Sequence, residues 1–534
     1  MARHLYGMNA AEVFTSGVTY LVCLAAVWCF LIVIYRLAIH PLRRYPGPIL
    51  GGISDAYGGY LAFTRSDHLA IYQLHQRYGP VLRLAPDKLL FNSLHAFKDI
   101  YQNPRITKSY LYLYSRDKNQ PTTFSTIDAE AHRQRRKLIS QPISQRAMRL
   151  FEPTMSAQID IFLRKIYESS GSVVNVTDHC QWLGLDIVGL LAFGYHLNLQ
   201  TKEEYRFIPR AFADIKSRIH VFMQFPALAN FAALITPFTE PEKGKLLRLV
   251  YKMMLARAEQ DKDAERDFYS YAKGNLDYGP DYFEYGEFMA EAAFFVTAGG
   301  TPPATAICGL LFYLARHPQF YKKLTEEIRG TYKRGHDIKG DAQLMGCQYL
   351  RACIDETLRI SPPSLATLWR ERDKVDTDDS PLVIDGHVIP PGTQVGVNLY
   401  ALHHNEEYFP DSYSFIPDRW ITQASSDNPE SEAARARMQE AFVPFLVGSR
   451  SCAGKAMAYC EISIVIAKLL WHFDFESAPG DLGKLGEGTP GSTDGRGRAS
   501  EYQLYDCNSA THDGPNLIFR PRAEAIAELS GKAL

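Results

Sequence analysis

The amino-acid sequence predicts a mainly α-helical fold with a smaller β-rich part, placed behind one transmembrane helix. From about residue 127 onward, long stretches are apolar or amphipathic over helical lengths. Between residues 361 and 420, prolines and turn residues separate short apolar runs of the kind found in strands. Near the N-terminus, the run VTYLVCLAAVWCFLIVIY carries no charge and has about the length that crosses a bilayer as a helix.

This uncharged run is the predicted membrane anchor, which we assign to residues 1–37. Arg36, Arg43 and Arg44 follow it and only Arg3 precedes it, so the positive-inside rule places the rest of the chain in the cytosol. A secretory signal peptide would have a shorter apolar core and a small-residue cleavage site, and neither is evident. The alternative, a buried core helix, would not need the basic and proline-rich segment that follows.

That segment, HPLRRYPGP at 40–48, is predicted to be a stiff hinge. It lies at the start of one large predicted domain, residues 38–534. The glycine-rich, low-complexity segment 477–500 is predicted to be a mobile loop of this domain. The other predicted elements are a helix followed by two strands in 68–93, helices at 130–140, 181–194, 288–316, 318–335 and 454–473, and a strand pair in 381–400.

Composition excludes some classes of function. The net charge is −1, so nothing indicates a nucleic-acid partner. The nine cysteines are an odd number without C-x-x-C pairs or zinc-type spacing, which favours a reducing compartment over a disulfide framework. Each cysteine is therefore expected to be a small buried apolar residue unless its surroundings indicate a chemical role.

Cys452 has such surroundings, in the segment FLVGSRSCAGK. Gly448 and Gly454 flank it, and a helix is predicted to begin directly after it. Backbone N–H groups and the helix N-terminus favour a thiolate, and Arg450 adds a positive charge. This is the environment that an iron-binding sulfur needs. A redox-sensing or nucleophilic thiol would want a partner histidine or second cysteine nearby, and the segment has neither.

The segment resembles the cysteine-ligand loop of the cytochrome P450 family, F-x-x-G-x-R-x-C-x-G, at every defined position. Phe445, Gly448, Arg450, Cys452 and Gly454 are the matching residues. The resemblance implies the cytochrome P450 fold, a haem b cofactor, and Cys452 as the axial ligand of its iron.

Two further motifs agree with this resemblance in order and spacing. Glu356 and Arg359 are similar to the family's E-x-x-R pair, and Arg419 in FIPDRW is similar to the arginine that joins it. A lone E-x-x-R would be a solvated helix face. Three buried charged groups satisfy one another, so we predict a structural role for this triad.

The resemblance also implies which residues hold the haem propionates. His132 and Arg136 resemble the W-x-x-x-R of a family helix, with histidine where tryptophan is common, and Arg370 resembles a second propionate arginine. The alternative for these three residues is a basic helix face and an isolated surface charge.

The central helix, 288–316, departs from the family pattern. Ala298 and Gly299 match the family's A-G-x-(Asp/Glu)-Thr, but Thr301 stands at the acid position and Pro302 at the threonine position. Two consecutive prolines remove hydrogen-bond donors from the middle of the helix, so a break in the helix is expected.

The usual acid and threonine are thought to relay protons in this family. Our hypothesis is that Thr301, an ordered water on the freed carbonyls, or a substrate hydroxyl completes the relay, with Thr305 as a further hydroxyl one turn later.

The resemblance implies a monooxygenase that takes electrons from NADPH through a flavoprotein reductase. The missing acid and threonine leave an alternative open: a haem-thiolate enzyme without net oxygen insertion, such as a coupling enzyme, a desaturase, or a peroxide isomerase or dehydratase. A non-catalytic haem carrier is the non-enzyme alternative, and the retained groove on the oxygen side argues against it.

The substrate pocket is predicted as a region only. We expect the segment 108–124 to be a variable lid in which the tyrosines alternate as in a strand or extended chain. The candidate substrate contacts are Tyr112, Tyr114, Phe294, Phe295, Ala366 and Thr367. For each of them the alternative is plain core packing. This aromatic surface suits an apolar small molecule.

Segments such as AMAYCEI are most similar to filamentous-fungal members, many of which modify polyketides, terpenoids or alkaloids. Sterol or fatty-acid oxidation is the second candidate pathway type. The expected location is the endoplasmic reticulum membrane, with a single span and the catalytic domain in the cytosol. The expected partners are the membrane, NADPH-cytochrome P450 reductase and cytochrome b5.

Overall fold

The structure, a computed structural model, describes residues 10–116, 120–259, 267, 285–421 and 429–530. Residues 1–9 of the predicted anchor and 117–119 of the predicted lid lie outside these ranges. Twenty α-helices are present in the described part of the chain. They are α1 Ala10–Ile34, α2 Ile49–Ile53, α3 Ala56–Phe63, α4 Asp67–Tyr78, α5 Leu94–Tyr101, α6 Ala129–Ser140, α7 Gln145–Glu168, α8 Val176–Phe193, α9 Ile208–Gln224, α10 Ala232–Thr239, α11 Lys243–Ala258, α12 Tyr285–Gly300, α13 Pro302–Arg316, α14 Pro318–Thr331, α15 Ala342–Met345, α16 Gln348–Ile360, α17 Leu399–His403, α18 Pro429–Ala441, α19 Lys455–His472 and α20 Ile526–Leu529.

Within the same described ranges, ten short strands form the β-rich part. They are β1 Val81–Ala85, β2 Lys88–Phe91, β3 Ile106–Lys108, β4 Val173–Asn175, β5 Arg370–Arg372, β6 Leu382–Ile384, β7 His387–Ile389, β8 Gln394–Val397, β9 Phe473–Ser477 and β10 Asn516–Pro521. The largest sheet has the order β1-β2-β8-β5-β3, the second has the order β4-β10-β9, and β6 pairs with β7 alone. The predicted helix and two strands of 68–93 and the strand pair of 381–400 are confirmed.

The helical core is built around α13, whose residues from Pro303 to Leu314 are all buried. This helix packs against α8, α16 and α19. Burial of so many apolar side chains supplies the main stabilisation, at about 25 cal/mol per Å² of apolar surface. The helix that follows Cys452 and the helix that carries Glu356 are therefore held rigidly against the same central element.

Two helices are long and apolar enough to cross a membrane in the described ranges. The span Phe14–Ile39 is not buried against the rest of the protein, whereas 72% of the span Ala290–Arg316 is buried, as in a core helix. The first span is therefore the one that is consistent with membrane anchoring. After it, Arg36 Nη1 donates to Ile53 O and Arg83 Nη1 donates to Arg36 O, which connects the end of this helix to α2 and β1.

The glycine-rich segment 477–500 has a defined course. It begins in β9, forms a 3₁₀-helix at Gly480–Lys484, and is closed by backbone hydrogen bonds from Gly488 N to Arg498 O and from Thr489 N to Arg496 O. Its predicted mobility stays a prediction.

Candidate active site

The Cys452 loop has a tightly constrained backbone. A 3₁₀ turn at Gly448–Arg450 precedes the cysteine, and Cys452 N donates to Phe445 O at 2.8 Å. Gly448 has φ +75°, and a Cβ there would lie 2.7 Å from Tyr101 O. Only glycine fits this position without strain. The loop thus presents the exposed Cys452 side chain just before α19 begins.

The electrostatics around the sulfur differ from the expected ones. The Cys452 side chain is accessible to solvent, but desolvation by the protein atoms packed around the sulfur raises the pKa of the thiol. The N–H groups of Gly454 and Lys455 and the charge of Arg136 act in the opposite direction. Arg450 donates to Thr126 O and Ile127 O, and its charge beside the sulfur stays a prediction. The helix start provides N–H donors, as predicted, but burial outweighs them in the protein alone.

Basic side chains converge on the chain segments beside this loop. They are Lys108, His132, Arg136, Arg370 and Arg450. Burial, followed by the charges of the other four, lowers the pKa of His132 to about 2. Burial and the charges of Arg450 and Arg370 likewise hold the pKa of Lys108 far below its usual value. In the described part of the chain none of the five makes an ion pair with a carboxylate.

Four of these basic side chains, all but His132, donate hydrogen bonds to neighbouring groups. Arg136 Nη1 donates to Ser451 O, next to the cysteine. Lys108 Nζ donates to Thr123 O and Phe124 O, both at 2.8 Å, and Arg370 Nη1 donates to Tyr112 Oη at 3.0 Å. The sequence identified all of them except Lys108, whose role depends on the tertiary contact between β3 and the Thr123–Phe124 backbone.

The central helix is broken where the prolines predict it. α12 ends at Gly300 and α13 begins at Pro302, with Thr301 between them. Neither proline carries an N–H, so the carbonyls of Ala298 and Gly299 receive no hydrogen bond from them. The regular pattern resumes when Thr305 N donates to Thr301 O at 3.1 Å.

Both threonine hydroxyls of the break point to backbone groups. Thr305 Oγ1 donates to Thr301 O at 3.2 Å, and Thr301 Oγ1 donates to Thr297 O at 3.4 Å. Thr301 Oγ1 also accepts a hydrogen bond from Lys216 Nζ at 3.2 Å. The sequence did not indicate this lysine. Ala298 is exposed, whereas the residues from Ala292 to Thr297 and from Gly299 to Thr301 are buried or half-buried.

Gly299 and Gly300 face a neighbouring helix. A Cβ on Gly299 would lie 2.8 Å from Val188 Cγ2, and a Cβ on Gly300 would lie 2.7 Å from Leu185 Cδ2. On the other side of the contact, a Cβ on Gly184 would lie 2.2 Å from Gly300 O. Glycines therefore allow α8 to approach the break closely, which is a packing role for Gly299 beside the catalytic one predicted.

The E-x-x-R triad is assembled as expected. Arg359 donates to both carboxylate oxygens of Glu356, through Nε at 2.9 Å and Nη2 at 2.8 Å, and Arg419 Nε donates at 3.1 Å. Trp420 Nε1 and Ile416 N complete the set of donors to this carboxylate. Arg359 also donates to three backbone carbonyls, those of His403, Ser412 and Ser414.

The predicted lid has a different conformation. Tyr110–Ser115 is a 3₁₀-helix, so the expectation of a strand or extended chain is wrong. The physical reason is local hydrogen bonding: Ser109 Oγ accepts from Leu111 N, and Tyr112 N and Arg116 N donate to Ser109 O and Leu113 O, which closes the turn at both ends. Tyr114 is half-buried and lies edge-on to Tyr110.

The other predicted substrate residues lie in two places. Phe294 stacks on Phe124 with ring centroids 5.7 Å apart, and Phe124 in turn contacts Tyr112 at 5.0 Å. Phe295 is half-buried and packs against the helical core. Ala366 and Thr367 are both 2% exposed, and Asn398 Nδ2 donates to Thr367 Oγ1 at 3.4 Å. Their contact with a substrate stays a prediction.

Comparison with known proteins decides the family. The sequence model described as Cytochrome P450 matches residues 56–491. The chain belongs to the cytochrome P450 family. It is 32% identical over 527 residues to the cytochrome P450 monooxygenase poxM of Penicillium oxalicum, covering 96% of each chain.

Other relatives of this cytochrome P450 are also fungal. It is 31% identical to the cytochrome P450 monooxygenase AKT7 of Alternaria alternata, over 91% of this chain and 94% of the relative. It is 29% identical to the trichothecene C-15 hydroxylase of Fusarium sporotrichioides, over 87% and 92% of the two chains. The family identifies the chain as a monooxygenase, an oxidoreductase with a haem-iron cofactor.

The residues present fit a haem. The sulfur of Cys452 is exposed within a constrained loop, and the basic cluster without carboxylate partners suits the two propionates. Lys108, His132, Arg136, Arg370 and Arg450 would hold those propionates, and Cys452 would hold the iron. A thiolate-ligated haem supplies oxygen activation when bound. The protein itself positions the haem, and at the break it presents hydroxyls and two carbonyls that lack helical donors.

Proposed function

We propose that this cytochrome P450 inserts one oxygen atom from O2 into an apolar small molecule during the biosynthesis of a fungal secondary metabolite. The observation that carries this proposal is the Cys452 loop beside a basic cluster and a broken central helix. Thr301, with Thr305 one turn later, a water held by the freed carbonyls of Ala298 and Gly299, or a substrate hydroxyl would move protons there.

The relatives support the pathway type. The name trichothecene C-15 hydroxylase states that this relative hydroxylates a trichothecene, and it is similar to the present chain over most of both lengths. Aromatic contacts among Tyr112, Phe124 and Phe294 offer an apolar surface beside the central helix. An apolar substrate gains about 25 cal/mol for each Å² of apolar surface that it buries.

The cellular setting follows from the N-terminal span. We propose that residues 1–37 anchor the protein in the endoplasmic reticulum membrane by a single pass, with domain 38–534 in the cytosol. The exposed apolar span Phe14–Ile39 and the arginines after it support this arrangement. NADPH-cytochrome P450 reductase, with cytochrome b5 as a second donor, would then supply electrons at the same membrane.

A second candidate function rests on the substituted pair at Thr301 and Pro302. In this class of haem-thiolate enzyme no oxygen atom is inserted, and the members that start from a peroxide need no relay from an acid and a threonine. Oxidative coupling, desaturation and peroxide isomerisation or dehydration belong to this class. Their products differ from hydroxylation products in mass, which makes the two candidates separable.

The test is deletion of the gene in the organism that carries it, followed by accurate-mass comparison of metabolites. We expect one product to disappear and a precursor lighter by one oxygen atom to accumulate. Complementation with the wild-type gene restores the product, and complementation with Cys452→Ala does not. A lost product of equal mass, or one lighter by two hydrogens, contradicts oxygen insertion and supports the second candidate.

A further inference from the structure

Lys216 is a buried cation at the break of the central helix. It lies in α9 (Ile208–Gln224), its side chain is 7% exposed, and its Nζ donates to Thr301 Oγ1 at 3.2 Å. Thr301 is the residue between α12 and α13, so the ammonium group meets the central helix at its irregular point.

The charge of Lys216 has no counter-ion in the described ranges. No carboxylate there lies within ion-pair distance of Nζ, and the titratable group that favours its protonated form is the thiol of Cys507. Asp67 and Asp506 face His220, which lies one turn along α9 from Lys216. An ammonium group has three hydrogen-bond donors, and Thr301 uses one of them.

A buried ammonium that lacks an ion-pair partner and has one acceptor for its three donors is costly. Burial lowers the pKa of Lys216, in agreement with its surroundings. An anionic group placed at Nζ would favour the charged form of the lysine and accept hydrogen bonds from its two remaining N–H donors. Hydrogen bonds between charged partners are about twice as strong as those between neutral ones.

The central helix gives this site a neighbouring apolar surface. Phe294, Ala298 and Thr301 follow one another at spacings of four and three residues, so they lie along one helix face. Phe294 stacks on Phe124, and the exposed Ala298 lies between Phe294 and Thr301. A rise of 1.5 Å per residue places the two ends about 10 Å apart.

We propose that Lys216 binds the carboxylate of the substrate beside Thr301, which makes the substrate an apolar carboxylic acid. This inference rests on the proposed function, because it assigns a substrate class to the same site. The carboxylate lies at the helix break, and the apolar body of the acid extends along the face that carries Ala298 and Phe294.

The test is titration calorimetry of the haem-loaded enzyme with acids and their methyl esters. Dodecanoic acid, hexadecanoic acid and 2-naphthylacetic acid serve as probes, each beside its own ester. We expect the wild type to bind at least one acid about tenfold to hundredfold more tightly than its ester, as a charged hydrogen bond of this kind predicts.

Two variants control for the side chain. Lys216→Met keeps the length without the charge, and we expect it to lose the preference for the acid while ester affinity stays within about twofold. Lys216→Arg keeps the charge and should retain the preference. Equal affinity for acid and ester in every wild-type pair, or a preference that survives in Lys216→Met, would overturn the proposal.

Failure of this inference and failure of the proposed function give different results. The absorption spectrum of the ferrous carbon monoxide complex reports the cysteine-ligated haem in each variant, independently of the probes. A protein with this spectrum but without acid preference refutes the Lys216 subsite alone. A protein that binds acids through Lys216 but lacks this spectrum refutes the monooxygenase proposal.

Discussion

Glu356 is a fully buried carboxylate that receives five hydrogen bonds, and it shows how single residues stabilise this fold. Burial opposes its ionisation, but the charges and hydrogen bonds of Arg359 and Arg419 outweigh burial and lower its pKa. The Arg359 guanidinium is equally buried and is satisfied by the same carboxylate and by backbone carbonyls. Each partner therefore depends on the others for compensation of its charge.

We predict that Glu356→Gln lowers the free energy of unfolding by about 3 to 5 kcal/mol, because it leaves two buried arginines without a counter-charge. Chemical denaturation followed by fluorescence measures this change. The matched control is Glu168→Gln, which breaks the ion pair with Lys165 at the same three-residue spacing but on the surface. The control should change stability by less than about 1 kcal/mol. Equal effects of the two substitutions would refute the structural role.

At the scale of elements, the contact between α8 and the central helix decides where the break lies. Gly184 leaves room for the Gly300 carbonyl, and Gly299 and Gly300 leave room for Val188 and Leu185. The prolines remove donors from the helix, and the glycines let a second helix cover the same point. The break is therefore enclosed by protein on the α8 side.

We predict that Gly184→Ala destabilises the protein by about 1 to 3 kcal/mol, because the added methyl group overlaps a backbone carbonyl that cannot rotate away. Thermal unfolding of the haem-loaded enzyme tests this prediction. Gly330→Ala in α14 is the matched control, since a Cβ there meets nothing within 4 Å. Alanine should stabilise that exposed helical position by about 0.4 to 1 kcal/mol. The prediction fails if Gly184→Ala melts at or above the wild-type temperature.

At the scale of the whole molecule, a buried charged cluster joins three distant parts of the chain. His220 of α9 is 2.9 Å from Asp67 of α4 and 4.0 Å from Asp506 near the C-terminus. Burial alone would lower the pKa of His220, but the two carboxylates raise it to about 9. Burial likewise opposes the ionisation of Asp67, yet the charge of His220 lowers its pKa to about 2.

These shifts predict a pH dependence of stability. The folded pKa of His220 is above the unfolded value, so its contribution is complete below about pH 6.5 and is lost as pH rises through about 9. Between these values the free energy of unfolding should fall by up to about 1.4 kcal/mol per pH unit from this group. Denaturation of the wild type and of His220→Asn at several pH values measures the slope of unfolding free energy against pH. The variant should lack this slope. Parallel curves for the two proteins would contradict the assignment.

Local motifs were predictable from the sequence because their geometry is set within a few residues. The Cys452 loop, the Glu356–Arg359 spacing and the proline break belong to this class. Lys108 and Lys216 were not predictable, because a lysine in an amphipathic segment is normally exposed and only tertiary packing buries these two. The tyrosines from 110 to 114 were misassigned because alternation in sequence indicates a strand, whereas local hydrogen bonding selects a 3₁₀ turn here.

The two prolines at the centre of the buried helix make its break a fixed feature of this enzyme. In a helix whose groove is made by side chains that compete for backbone hydrogen bonds, the groove opens and closes as those side chains move. Pro302 and Pro303 lack the hydrogen atoms that would close the gap, so its opening is a covalent property of the chain. No change of pH, ligand or temperature below unfolding restores these two bonds, so the carbonyls of Ala298 and Gly299 lack these donors in every folded state.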